Sequence, residues 1–474
     1  MKQTLKQKPR TSKTSSSVTK SIKTLITSTL SNETQTHFKN IVNSTLKKHS
    51  TSFMKINSTF KNLENDIQIL DIIINPIDLT KVFPTKREIL KHLNVIDSVI
   101  SMTDTELELY LIKNPNILFE IETLFYRKKF PANIVSKYPN IYKFQLENSI
   151  FMSASIQECI HNSITHKITI HYKFKDVKGT LQIFNSNSNG NMNQTKARVL
   201  AIPIIKRICF FNSILNVNKI PIFRVYICSQ LKRLSETGVF TPNNVNTAAT
   251  DGTTILIWRQ EELLKSILHE SIHFHNLDWR WENKSIGEII HGYSVKNSRN
   301  EVLTFEAYTE ALAEILNVLF LVSIDNDMNE NLKHHMLLEF EFGFFQMCKL
   351  LNHLKVVKWN DFYGGDAIFL EHKLIETTST FCYFILKSQL LWHFDVMIDT
   401  LFSENKINLK CTEKCINVYN KLWINIKTDE IFIKCVNNAL KKIRKLNGTH
   451  NLISFDKLDI MKTMRMSIID LFYS

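Results

Sequence analysis

Ser266-Ile-Leu-His269-Glu270-Ser-Ile-His273-Phe-His275 is the stretch that decides the reading of this 474-residue chain. On a helix, residues four apart stand one turn above each other on one face. His269 and His273 therefore present two imidazoles to one point, as a tetrahedral Zn²⁺ held at about 2.0–2.1 Å from each nitrogen requires. Glu270 points to the side of that pair, where a carboxylate can take the proton of a water at the metal. Leu263, Leu264, Ile267, Leu268 and Ile272 form the apolar stripe of the same helix. The histidines fall off that stripe, toward a cleft.

Upstream, Thr253-Thr-Ile-Leu-Ile-Trp258 reads as a strand, and Glu261 and Glu262 suit the first turn of a helix. A strand leading into a helix that carries His-Glu-x-x-His resembles the zincin superfamily of zinc-dependent metallopeptidases. The resemblance implies an α+β fold: a zincin-like catalytic domain with a mixed sheet and an active-site helix. In that arrangement an extended peptide adds to an edge strand through main-chain hydrogen bonds. Asn246-Thr-Ala248-Ala249 falls where the edge strand is expected, which makes Asn246 and Ala248 candidate substrate-binding residues.

A catalytic zinc site needs a third protein ligand and one open position. A metzincin would carry glycine three and histidine six positions beyond His273. This chain has Asn276 and Trp279 there, so that subgroup is rejected. His275 faces elsewhere on the helix and suits a supporting or core role. Further on, Ser298-Arg-Asn-Glu301 is a capping box, and the residues after it are strongly helical. Glu306, Glu310 and Glu314 share one face of that helix and repel each other unless a cation or basic group stands opposite. Thr309-Glu-Ala-Leu-Ala-Glu314 is similar to the Asn-Glu-Gly-x-Ala-Glu pattern of gluzincins, with Thr309 and Ala311 replacing Asn and Gly. Carried over by residue, the pattern makes Glu310 the third zinc ligand, with Glu306 and Glu314 as alternatives. Small Ala311 and Ala313 let two helices approach closely around the metal.

The resemblance covers roughly residues 220–320 and extends to uncharacterised gluzincin-like proteins of large DNA viruses. It implies one Zn²⁺ per chain and hydrolysis of peptide bonds in a peptide or protein substrate. His269, His273 and Glu310 would hold the metal and Glu270 would be the base. Tyr383, in a helix where hydroxyls sit beside aromatics, is the candidate donor to the developing oxyanion, with His372 and His393 behind it. The rival is a non-catalytic scaffold that retains a zincin fold. The intact Glu270 speaks against it.

The remaining chain bounds the answer. No run of 18 or more residues stays apolar, so no membrane partner is expected. The net charge is +14, with Lys2, Lys6, Lys8, Arg10, Lys13, Lys20 and Lys23 preceding the first acidic residue, Glu33. Nucleic acid is not an expected partner beyond weak contact through this basic tail, since no zinc-finger spacing accompanies it. The eight cysteines follow no framework, and no second pair completes Cys411-x-x-x-Cys415 as a metal site. Free thiols point to a reducing, intracellular and cytoplasmic setting. Packaging in a virus particle is the corresponding extension of the viral resemblance.

Four regions follow. Residues 1–50 read as a basic, largely disordered tail with a weak helix near Phe38 to Leu46, and 51–160 as a helical N-terminal region. Residues 161–300 read as the sheet lobe with the His-Glu-x-x-His helix. It has strands at 166–174, 180–184, 204–211, 220–228 and 253–258, and a short helix at 231–236. Residues 301–474 read as a helical C-terminal lobe, with long helices over 302–323, 330–354 and 371–403 and a terminal helix over 455–472.

Overall fold

The computed structural model describes residues 22–60, 63, 65–76, 86–93, 99, 101–114, 116–117, 120, 132–137, 152–185, 192–217, 219–279, 286–297, 302–323, 328–364, 373–403, 406–447 and 460–469. The fold is α+β. Six strands form its main sheet: β1 (Ile67–Pro76), β2 (His166–Phe174), β3 (Val177–Asn185), β4 (Ile222–Tyr226), β5 (Ala248–Thr250) and β6 (Thr254–Ile257), in spatial order β1-β2-β3-β4-β6-β5. β1, β2 and β3 run antiparallel; β3, β4 and β6 run parallel; β5 returns antiparallel to β6 along the edge. The alternation of His166 to Phe174 buries Ile168, Ile170, Tyr172 and Phe174 on one face, as a period-2 pattern requires.

Five local expectations are corrected, with 231–236 and 455–472 taken together. The apolar run 204–211 belongs to helix α3 (Gln194–Leu215), which carries the chain from β3 to parallel β4. A short apolar run buried all round has no period by which strand and helix can be told apart, and a parallel crossover needs a helix here. The region 51–160 is not wholly helical, since β1 lies in it and pairs with β2. The expected helix over 371–403 contains a short strand, Leu374–Glu376, parallel to Val295–Asn297 and Val239–Phe240 in a second sheet. Residues 231–236 and the described part of 455–472, residues 460–469, are irregular instead of helical. They bridge at Arg233 and Thr463, with Leu234 N–H donating to Lys462 O at 2.8 Å and Met464 N–H to Lys232 O at 3.2 Å. The capping box at 298–301 and His372 lie outside the described residues.

The fifth correction concerns the tail. Residues 1–21 lie outside the described residues, but from Ile22 the chain is part of the core, with Ile22, Ile26 and Leu30 buried. Helix α1 (Asn32–Lys48) starts at Ser31, whose hydroxyl accepts from Thr34 N–H, and carries Glu33 in its first turn and Lys47 and Lys48 in its last. Phe38 and Val42 are fully buried. Phe38 meets the Trp392 ring edge-on at 5.3 Å, and His37 stacks on it at 3.7 Å. Composition hid this because the few apolar residues stand four apart on one stripe among Ser, Thr and Lys. Phe38→Ala is expected to cost about 3–5 kcal/mol, the usual penalty for emptying a buried aromatic site. Denaturant unfolding reads it; a loss below about 1 kcal/mol would mean that α1 is not docked.

Candidate metal centre

Strand β6 leads through residues 258–262 into helix α4 (Leu263–Phe274), which is buried along nearly its whole length. Helix α5 (Phe305–Ser323) packs against it, and Ala307, Ala311 and Ala313, all 0 % exposed, allow the close approach. The two histidines meet Glu306 and Glu310 across this helix pair.

His269 and His273 bring their Nε2 atoms to 3.1 Å from each other. One carboxylate oxygen of Glu306 lies 3.3 Å from His269 Nε2 and 3.4 Å from His273 Nε2. The far ring nitrogens are also engaged. His269 Nδ1 is 2.9 Å from Glu310 Oε2, and His273 Nδ1 contacts Asp278. A bond to a carboxylate puts a ring proton on Nδ1, so Nε2 is the nitrogen that can offer a lone pair to a cation once any proton on it is released. Two imidazole Nε2 atoms and a carboxylate oxygen thus converge on one point. Burial works against a charge on His273, yet Glu306 and Asp278 hold it up to about 10. The surroundings favour positive charge at this point.

Here the assignment of Glu310 as third ligand is corrected by geometry: Glu306 faces the Nε2 atoms. Glu310, one turn further along α5, meets His269 on its other ring nitrogen, and its carboxylate spans His269 Nδ1 and the Lys265 ammonium. Glu314, another turn on, pairs with Lys387 at 2.5 Å. Each of the three stacked glutamates therefore has a different counterpart. Two have a lysine. Among the described residues, Glu306 has imidazole nitrogens and the Tyr383 hydroxyl, which donates to it at 3.1 Å. Burial opposes the charge on Glu310 as well, but Lys265 and His269 hold its carboxyl well below the ordinary range.

A cleft opens beside this cluster, lined by Val245, Asn246, Ala248, Ser266, Glu270 and Tyr383 among others. Ala248 belongs to edge strand β5 and pairs with Ile257 of β6. Asn246, just before it, accepts a hydrogen bond from Thr378 Oγ1 at 2.7 Å. Tyr383 sits in a π-helical turn, Cys382–Leu386, a distortion that recurs at functional sites. Burial and the neighbouring Glu306 carboxylate push its phenol well above the ordinary range, so the hydroxyl stays protonated. His393, at the junction of helices Lys387–Trp392 and Phe394–Leu401, is not among the cleft residues. His275 is turned toward Phe211, 5.7 Å between rings, and burial lowers it to about 4.

Three supporting residues escaped the sequence reading. Lys265 precedes His269 by four and shares its face, a spacing that was there to be read. Asp278 follows a left-handed Asn276 that turns the chain back on the helix, and nothing local marks it. Lys232 pairs with Glu262 at 2.5 Å behind Lys265, and only the fold brings them together.

The chain is 27 % identical over 240 residues to an uncharacterized protein of Acanthamoeba polyphaga mimivirus, a match covering 48 % of this chain and 57 % of that protein. The chain thus spans little more than half the length of this viral relative. No protein-family model matches the sequence. No solved structure matches it.

The carboxylates separate by variant in metal-free protein. Glu310→Ala leaves Lys265 buried without its nearest carboxylate, and such a loss costs about 3–5 kcal/mol. Glu306→Gln removes a charge that faces imidazoles and a phenol, and the imidazoles can release a proton in response, so a smaller loss than for Glu310→Ala is expected. Thermal melts in chelator check both; equal losses would contradict the separate environments of the two glutamates.

Proposed function

We propose that this protein is a zinc-dependent metallopeptidase of zincin type, with one Zn²⁺ held by His269, His273 and Glu306. The observation that carries the reading is the convergence of two imidazole Nε2 atoms and one carboxylate oxygen, all within 4.8 Å of one another, beside a buried glutamate and an edge strand. Two imidazoles and a carboxylate are a donor set suited to zinc, with a fourth position left open.

Bound zinc would supply Lewis acidity, lowering the pKa of a water toward about 7. The chain's own residues do the rest. Glu270 accepts the proton of the attacking water on its carboxylate and passes it to the leaving amide nitrogen. The Tyr383 hydroxyl, now donating to Glu306, is within reach of the oxyanion that forms on the scissile carbonyl. Strand β5 offers its outer edge to an extended substrate, and small Ala248 leaves room for the substrate backbone. Glu310 and Asp278 keep the two imidazoles in the tautomer that ligation needs. The charge of a peptide or protein substrate plays no part in this reading, and no helix among the described residues is long and apolar enough to cross a membrane.

The test joins metal analysis to peptide cleavage. Purified protein is expected to carry about one zinc per chain. Glu306→Ala should lose it, while Glu270→Gln should keep it and melt like wild type. On a diverse peptide library Glu270→Gln should be slower by roughly 10²–10⁴-fold, the usual contribution of a general base. Zinc-loaded wild type that is as inert as the variant would favour a non-catalytic scaffold instead. Retention of zinc by Glu306→Ala would shift the third ligand elsewhere.

A further inference from the structure

A second reactive cluster lies away from the metal centre. Cys159 is on helix α2 (Ala154–Ser163), and Cys228 lies just past the end of β4. They are 69 residues apart in sequence, yet their sulfurs stand 3.0 Å from each other in a shared hydrogen bond. A disulfide needs about 2.05 Å, so small side-chain rotations close the gap. Cys228 is buried and Cys159 half-buried, which leaves one of the pair open to solvent.

The environment favours a thiolate. The hydrogen bond to Cys159 brings Cys228 down to about 7, and the charge of Arg259 acts in the same direction. Arg259 is fully buried. One of its terminal nitrogens donates to Asn243 O, while Nε and Nη1 have no hydrogen-bond partner among the described residues. A buried guanidinium with spare donors beside two thiols is an arrangement that stabilises sulfur in its anionic, nucleophilic form.

We propose that Cys159 and Cys228 are a reversible disulfide site, reactive toward small-molecule disulfides, that fastens α2 to the sheet beneath the edge strand. Cys228 takes the shared proton, and the half-exposed Cys159 sulfur, now a thiolate, attacks the small disulfide first, forming a mixed disulfide and releasing one small thiol. The Cys228 thiolate then attacks the Cys159 sulfur and expels the second small thiol. The protein loses two thiol hydrogens, and the small disulfide is reduced to two thiols that take them up. The link falls where α2 already meets the sheet lobe. Ser153 and Ser155 hydroxyls donate to Asn243 Oδ1 at 3.1 and 3.2 Å, and Asn243 lies in the turn that leads to Asn246 and β5.

The inference is independent of the peptidase reading and is tested on the full chain with oxidised glutathione under native conditions. Tryptic peptides containing Cys159 and Cys228 are expected to be joined in the unreduced digest and separated by dithiothreitol. The oxidised protein should melt higher, by on the order of 5 °C for a link closing a loop of this length. Cys228→Ser should trap glutathione on Cys159, and Cys159→Ser should give neither the linked peptide nor the shift. Wild-type protein that keeps glutathione on Cys159 would overturn the proposal, because Cys228 would not be resolving it. So would recovery of both peptides as free thiols. Both readouts on wild type stand even if a serine variant fails to fold.

Discussion

The contact on which the rest depends is the carboxylate of Glu310, shared between the Lys265 ammonium and His269 Nδ1. It joins α4 to α5 inside the protein, where an unmatched charge is costly and a matched one is held rigidly. It also fixes the tautomer of His269. The same carboxylate therefore supports the fold and orients the proposed ligand. Behind it, Glu262 continues the chain of charges to Lys232 and accepts the main-chain N–H groups of Met466 and Ser467. The described C-terminal segment is thus tied to Glu262, the residue just before α4.

That tie explains why a segment with helical composition does not form a helix. Glu339 accepts from the N–H groups of Ile468 and Ile469 and from the Ser467 hydroxyl, while Lys349 and Lys387 donate to carbonyls of Ile460, Thr463 and Met466. A buried backbone must find partners for its polar groups, and here side-chain charges provide them in place of an intrahelical ladder. Five apolar residues of the segment, Ile460, Met464, Met466, Ile468 and Ile469, are buried as a result. Met466 reaches the cleft itself.

Stacking three carboxylates on one helix face is unfavourable in isolation. The fold resolves it turn by turn: Lys387 opposite Glu314, Lys265 opposite Glu310, and two imidazoles opposite Glu306. The unresolved charge is left where the cleft opens. Glu306 is thus the one of the three that faces two imidazoles and the cleft, which is why the proposed metal site is placed there.

Much of this was legible in the sequence because it depends on local periodicity. The spacing of His269, Glu270 and His273, the stripe beside them, the alternation of β2 and the shared face of Glu306, Glu310 and Glu314 follow from helix and strand repeats alone. The edge strand at Ala248 also falls where the sequence put it. The roles of the three glutamates were not legible. Which carboxylate faces Nε2 depends on the axial offset of α5 against α4, and a slide of one turn, about 5.4 Å, would exchange Glu306 and Glu310. That offset is set by lysines at 265 and 387 and by alanines along the contact, groups distant in sequence. The same reason hid the docked N-terminal helix, Asp278 and the pairing of Cys159 with Cys228. The chain's repeats determined which faces exist; only tertiary packing decided which groups on those faces meet, because burial makes each charge and each N–H find a partner wherever the fold provides one.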